Sequence, residues 1–153
     1  MAHDARGLEV TADHPEALAH YETGLALLHG YYGDPLAAVD AALAEHPDFA
    51  MGHALRAALM VTSGDGTAVP LLRESVEAGE ALGDRANPRE RRHLAAARAW
   101  LDGRFAESVQ AYGDIAIDYP RDILAVHRRT QADSPALRAV LDAVIARAAG
   151  LAG

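Results

Sequence analysis

Asn87-Pro88-Arg89-Glu90-Arg91-Arg92-His93-Leu94 is the stretch that decides the fold. An asparagine able to cap, a proline preset for the first turn and a glutamate three residues after the cap form a helix start, because cap and glutamate satisfy each other's free amides. The helix it opens stops at Gly103. A second helix, from about Phe105 to Asp118, carries Phe105, Val109, Tyr112 and Ile115 on one face until Tyr119-Pro120 ends it. Together they make a helical hairpin, Glu90 to Pro120.

Working outward, the same punctuation yields about eight helices. Asp13 and Glu16 have capping-box spacing ahead of a first helix from Pro15 to Gly30, with Leu18, Tyr21, Leu25 and Leu28 as its stripe. Asp34-Pro35 opens a second, with Leu36, Val39 and Leu43 on its face, closed by Pro47. A third spans about Asp48 to Ser63, where Gly64 is read as a left-handed stop. Thr67 begins a fourth with Val69, Leu72 and Val76 inward, ended by Gly83, and Gly83 to Ala86 reads as a loop. After the deciding hairpin, Asp122 to Arg129 forms two helical turns, and Ser134-Pro135 caps a last helix with Leu137, Val140, Leu141, Val144 and Ile145. No segment is read as alternating like a strand. Alanine makes up about a quarter of the chain, so helices are expected to approach closely.

The hairpins begin near Pro15, Phe49, Pro88 and Arg121, steps of about 33 to 39 residues, the range of helix-turn-helix solenoid repeats. The deciding hairpin resembles a tetratricopeptide repeat: Gly103 at the turn, Ser108, Tyr112 and Ile115 in the small, aromatic and small slots of the second helix, Pro120 at the close. Its first helix departs, with Arg92 in the tryptophan slot and Trp100 off register. Whole phrases carry a closer resemblance: Gly7-Leu8-Glu9-Val10-Thr11, His46-Pro47-Asp48-Phe49-Ala50-Met51-Gly52-His53, Asn87 to Leu94, and Tyr119-Pro120-Arg121-Asp122-Ile123-Leu124-Ala125. Over about residues 4 to 126 they look like the amino-terminal part of the tetratricopeptide repeat protein 38 family. Family members are longer and continue with further helical repeats, and the family has no established activity, so the resemblance implies a fold rather than a reaction. The fold class expected is all-α, a TPR-like α-solenoid of about four helical hairpins. Residues 1–13 form an N-terminal segment, 14–149 a single TPR-like helical domain and 150–153 a flexible tail.

Composition closes many other routes. With 153 residues, half of them apolar, the chain can bury one domain's core. A formal charge of −8 argues against nucleic acid. There is no cysteine, which removes thiolate nucleophiles, disulfides and thiolate-bound metal, and all 14 cations are arginine, which removes Schiff-base lysines and the lysine of a P-loop. No stretch is long and apolar enough to span a membrane and no export signal opens the chain, so the expected location is cytoplasmic. The few serines lack a glycine-flanked elbow, and Gly64-Asp65-Gly66 is a turn rather than a phosphate cradle. No cofactor, no metal site and no enzymatic activity is expected.

Stacked hairpins produce a concave surface lined by their first helices, and Tyr21, His53, Arg56, Arg92 and Trp100 are the partner-binding candidates on it by register. Tyr21 and Trp100 read as core more readily than as contacts. Residues 1 to 80 hold 13 acids and 3 arginines, and residues 81 to 153 hold 9 acids and 11 arginines, so the halves differ in sign. Arg85, Arg89, Arg91, Arg92 and Arg98 form a basic patch suited to an acidic peptide, or to the acidic half of a second copy in a homodimer. A solvated face with local pairs such as Arg98 with Asp102 is the plainer account. The eight histidines are scattered without metal-ligand spacing, although His53 and His93 fall in first helices of adjacent hairpins. The function expected is a non-catalytic module binding a protein segment or itself. The alternative is a small helical enzyme or ligand- or metal-binding protein with a pocket around His53 and His93.

Overall fold

The computed structural model describes residues 2–12, 14–30, 33–63 and 65–132. The caps expected from Asp13, the stop at Gly64, the last helix from Ser134-Pro135 and the tail at 150–153 lie outside the described residues. The fold is all-α, with a two-stranded exception at the start. Strands β1 (Ala2–His3) and β2 (Glu9–Val10) precede helices α1 (Pro15–Gly30), α2 (Pro35–Glu45), α3 (Ala50–Ser63), α4 (Val69–Glu80), α5 (Pro88–Leu101), α6 (Phe105–Asp118) and α7 (Ile123–Ala132).

The helix boundaries follow local chemistry. Asp34 accepts the Ala37 amide and Pro35 sits at the first turn of α2. Asn87 and Glu90 exchange side-chain to backbone bonds at the start of α5, the full capping box. At the other end of α5, Gly103 takes φ +78°, the Arg104 amide reaches Ala99 O at 2.8 Å and the Gly103 amide reaches Trp100 O at 3.0 Å. That pair of bonds is the Schellman closure, which needs the left-handed residue that only glycine adopts cheaply. Two expectations shift. Residues Gly66–Ala68 form a 3-10 turn, with Asp65 accepting the Thr67 amide, before α4 begins at Val69. Gly83–Arg85 is likewise a 3-10 turn rather than an open loop.

Hairpins α1–α2, α3–α4 and α5–α6 pack in sequence, with α1 on α3 and α3 on α5. Helix α3 is the centre: it packs against α1, α2, α4, α5 and α7, and ten of its 14 residues are buried. The principal core gathers Tyr21, Leu25 and Leu28 of α1, Met51, Leu55 and Leu59 of α3, Leu94 of α5 and Leu124 of α7. Small residues let the helices close up. Ser108 of α6 donates its hydroxyl to Ala96 O of α5 at 2.7 Å, and Gly79 of α4 faces Leu94 so closely that a Cβ would stand 2.4 Å from Leu94 Cδ2.

Two further pieces pack against the three hairpins, helix α7 and the residues before α1. Helix α7 packs on α6 and reaches α3, where Arg128 Nη1 meets Thr62 Oγ1 at 2.9 Å, and His127 lies edge-on to His29 at the end of α1. Residues 2–12 form an arm that places Leu8, Val10 and Ala12 in buried positions, Val10 and Ala12 within the principal core. This corrects the reading that nothing alternates like a strand. Leu8-Glu9-Val10-Thr11-Ala12 does alternate, and the antiparallel register is Ala2 with Val10 and His3 with Glu9. The turn is built by Asp4, whose carboxylate accepts the Arg6 and Leu8 amides at 2.9 Å each, and by Gly7 at φ +78°. Among the described residues no helix is long and apolar enough to cross a membrane.

Candidate functional site

The start of α5 does more than begin a helix. Glu90 Oε2 accepts the Asn87 amide at 2.8 Å to complete the cap, yet the carboxylate is wholly buried and has a second customer. Its Oε1 accepts the Thr11 amide at 2.9 Å, and Oε2 the Thr11 hydroxyl at 2.8 Å. On the same first turn, Asn87 Nδ2 and Arg89 Nη2 both donate to Glu9 O, at 3.1 and 3.0 Å. Four side-chain bonds thus hold the backbone and one hydroxyl of the arm against α5.

Beside them lies a buried ion cluster. Arg89 Nη1 donates to Asp122 Oδ2 at 2.7 Å, and His93 Nε2 donates to the same oxygen at 2.8 Å. The other oxygen, Oδ1, accepts the Ala125 amide at 3.1 Å and so caps α7. Burial alone would push the Asp122 carboxyl up, but His93, Arg89 and the Ala125 amide outweigh it and hold the group well below the usual carboxylate range. Asp122 is therefore an anion fixed between two helices. His93 Nδ1 is buried without a hydrogen-bond partner, and burial raises the Tyr112 phenol while Arg128 opposes the rise. The His93–Asp122 pair has the parts of an acid–base dyad, but both side chains are sealed from solvent, out of reach of any substrate proton in this arrangement.

Along the outer side of the arm runs a cleft of about 600 Å³, lined by Glu9, Thr11, Asp48, Asp84, Arg85, Arg91 and the first residues of α5. A smaller one of about 130 Å³, lined by Leu8, Glu9, Arg89 and Tyr119 among others, also borders the arm. A third, of about 280 Å³, lies between α2 and α4 over α3.

The sequence candidates scatter over these places. Tyr21 is core, 1% exposed and edge-on to Phe49, so it presents nothing to a partner. His53 and Arg56 meet in the α2–α4 groove with Asp40, Glu74 and Ser75. His53 Nε2 donates to Pro47 O at 2.8 Å, and burial lowers its pKa. Arg56 is bound to Asp40 at 2.8 Å and Ser75 Oγ at 2.9 Å. Arg92 pairs with Asp118 at 2.8 Å, and Trp100 packs edge-on to Phe105 with Arg128 over its ring. The five candidates therefore do not form one surface.

The basic patch divides too. Arg89 is buried, because its charge is spent on Asp122 and Glu9 O. Arg98 is matched by Glu80 at 2.6 Å and by Asp102 at 3.8 Å, the local pair expected from spacing. Only Arg85 and Arg91 reach the 600 Å³ cleft. His93 belongs to the ion cluster and His53 to the α2–α4 groove, so the two do not share surroundings. Among the described residues no group of three or more His, Asp or Glu is arranged to hold a metal ion.

Sequence reading missed Glu9, Thr11 and Asp122 as working residues. The arm's alternation was a usable signal for the first two; Asp122, directly before an apolar helical run, was one for the cap but not for its ion pairs. No family model, no curated protein and no solved structure matches the chain.

Proposed function

We propose that the chain is a non-catalytic, TPR-like helical module that binds a protein segment, with a second copy as one form of partner. The observation that carries this reading is the disposition of charge at the α5 corner. The acid–base groups are enclosed and spent on each other, whereas the cleft open to solvent is lined by exposed charges of both signs, Glu9, Asp48 and Asp84 against Arg85 and Arg91. Such a surface suits a polar chain with its own paired charges better than a small apolar substrate. The likeness of the phrases around Gly7, Pro47, Pro88 and Pro120 to the tetratricopeptide repeat protein 38 family is in line with a repeat module, and a cytoplasmic location fits a chain without cysteine.

The test is capture of partners from native cell extract by the full chain, compared with a chain carrying Arg85→Glu and Arg91→Glu. A partner retained by the wild type and lost by the variant supports the cleft as the working surface. An identical set of partners from both chains, or none from either together with a monomer in light scattering at high concentration, overturns it.

A further inference from the structure

We propose that the N-terminal arm is an internal ligand: the corner between α1 and α5 is a binding site for an extended chain segment, and residues 8–12 occupy it in the way a partner's segment does. This rests on the reading of the chain as a segment-binding module and names what such a segment is.

Val10 and Ala12 of the arm join the principal core, but the arm's backbone is held by side-chain hydrogen bonds of the kind that hold a bound peptide. The arm's backbone is read by side chains of the helices: the Thr11 amide by Glu90, Glu9 O by Asn87 and Arg89, and the Ala5 amide by Glu22 of α1 at 3.0 Å. Bonds to backbone carry no sequence information, so they transfer to any segment of the same conformation. Specificity comes from pitch and from one hydroxyl. Leu8, Val10 and Ala12 point inward at alternate positions, 9%, 0% and 4% exposed, and Glu90 takes the Thr11 hydroxyl. The partner is accordingly an extended protein segment with apolar residues at alternating positions and a threonine after the second, the pattern Leu-x-Val-Thr-Ala of the arm itself. The 600 Å³ cleft adjoins the seated arm at Glu9 and Thr11.

An internal occupant sets a quantitative rule. The apparent dissociation constant for an added segment equals the intrinsic one divided by the fraction of molecules whose arm is out. Weakening the arm without touching α5 must therefore tighten binding of a segment in trans. A merely structural arm has no such property.

The probe is a fluorescein-labelled peptide of residues 2–12, titrated with the full chain by anisotropy. The wild-type chain is expected to bind it weakly. A chain carrying Val10→Ala and Thr11→Val is expected to bind it at least tenfold more tightly, and a peptide with the same two changes is expected to lose at least tenfold against that chain. Equal affinity of both chains, or no binding to the weakened chain, overturns the proposal. Amide exchange on the wild type keeps the question open to an answer if the weakened chain does not fold. The Thr11 amide is expected to exchange at least tenfold faster than that of Leu55 in α3. Equal protection of the two means that the arm leaves only when the whole molecule unfolds, and that also overturns it. Failure of the peptide while partner capture still depends on Arg85 and Arg91 removes this proposal and leaves the module reading standing.

Discussion

Helices α3 and α5 are each 14 residues long, each opens a hairpin and each packs against the other, yet α5 buries charged groups beside its Leu94 and alanines where α3 buries none. Helix α3 buries alanines, Met51, Leu55, Leu59 and Val61, with His53 its one buried polar side chain. Helix α5 buries Arg89, Glu90 and His93 within its first two turns. The difference has a physical reading. Apolar burial is non-directional and rewards any close neighbour, so α3 can serve five partners at once. A buried charge is costly unless its one geometry is met, so α5 admits only one placement of the arm and one start for α7. One helix supplies cohesion and the other supplies position.

The contrast can be tested by removing one group from each. Asp122→Ala leaves Arg89 and His93 buried without their anion, and the expected loss is about 3–5 kcal/mol in urea denaturation. A loss under about 1 kcal/mol would mean that α5 holds its neighbours by shape, as α3 does. Leu55→Ala, in the middle of α3, is expected to cost about 2–4 kcal/mol by opening a cavity. The two should differ in kind: amide exchange after Asp122→Ala should rise first in the arm and the start of α7, and after Leu55→Ala throughout the molecule.

The smallest effect tests the exception within α3. Burial lowers the His53 pKa below its ordinary value, so the folded form resists the proton that the unfolded chain accepts. Its contribution is complete above about pH 6.5 and is lost as pH falls toward the lower folded value. Melting temperature should therefore drop between about pH 7 and pH 5. In His53→Gln the drop should be smaller; an equal drop assigns the acid sensitivity elsewhere.

How much of this the sequence discloses depends on how far each partner lies along the chain. The cap Asn87-Pro88-Arg89-Glu90, the Gly103 closure and the bounds of α6 are set by neighbours within a few residues, and those are legible. The burial of Arg89 is not, because Asp122 stands 33 positions away and nothing local distinguishes Arg89 from the solvent-facing Arg91 two residues later. Thr11 is harder still, 79 positions from Glu90. The arm shows the intermediate case. Its alternation is plain, but strands of two residues are too short for a pattern search tuned to longer runs, and helical periodicity dominates the rest.

The spacing between Thr11 and Glu90 also bears on biosynthesis. The arm leaves the ribosome before α5, and the carboxylate that fastens it is translated 79 residues later, roughly 4–16 s at ordinary elongation rates. Throughout that interval Leu8 and Val10 have no finished cradle and remain available to chaperones or to a neighbouring nascent chain. The arm is made before its cradle and secured only after it.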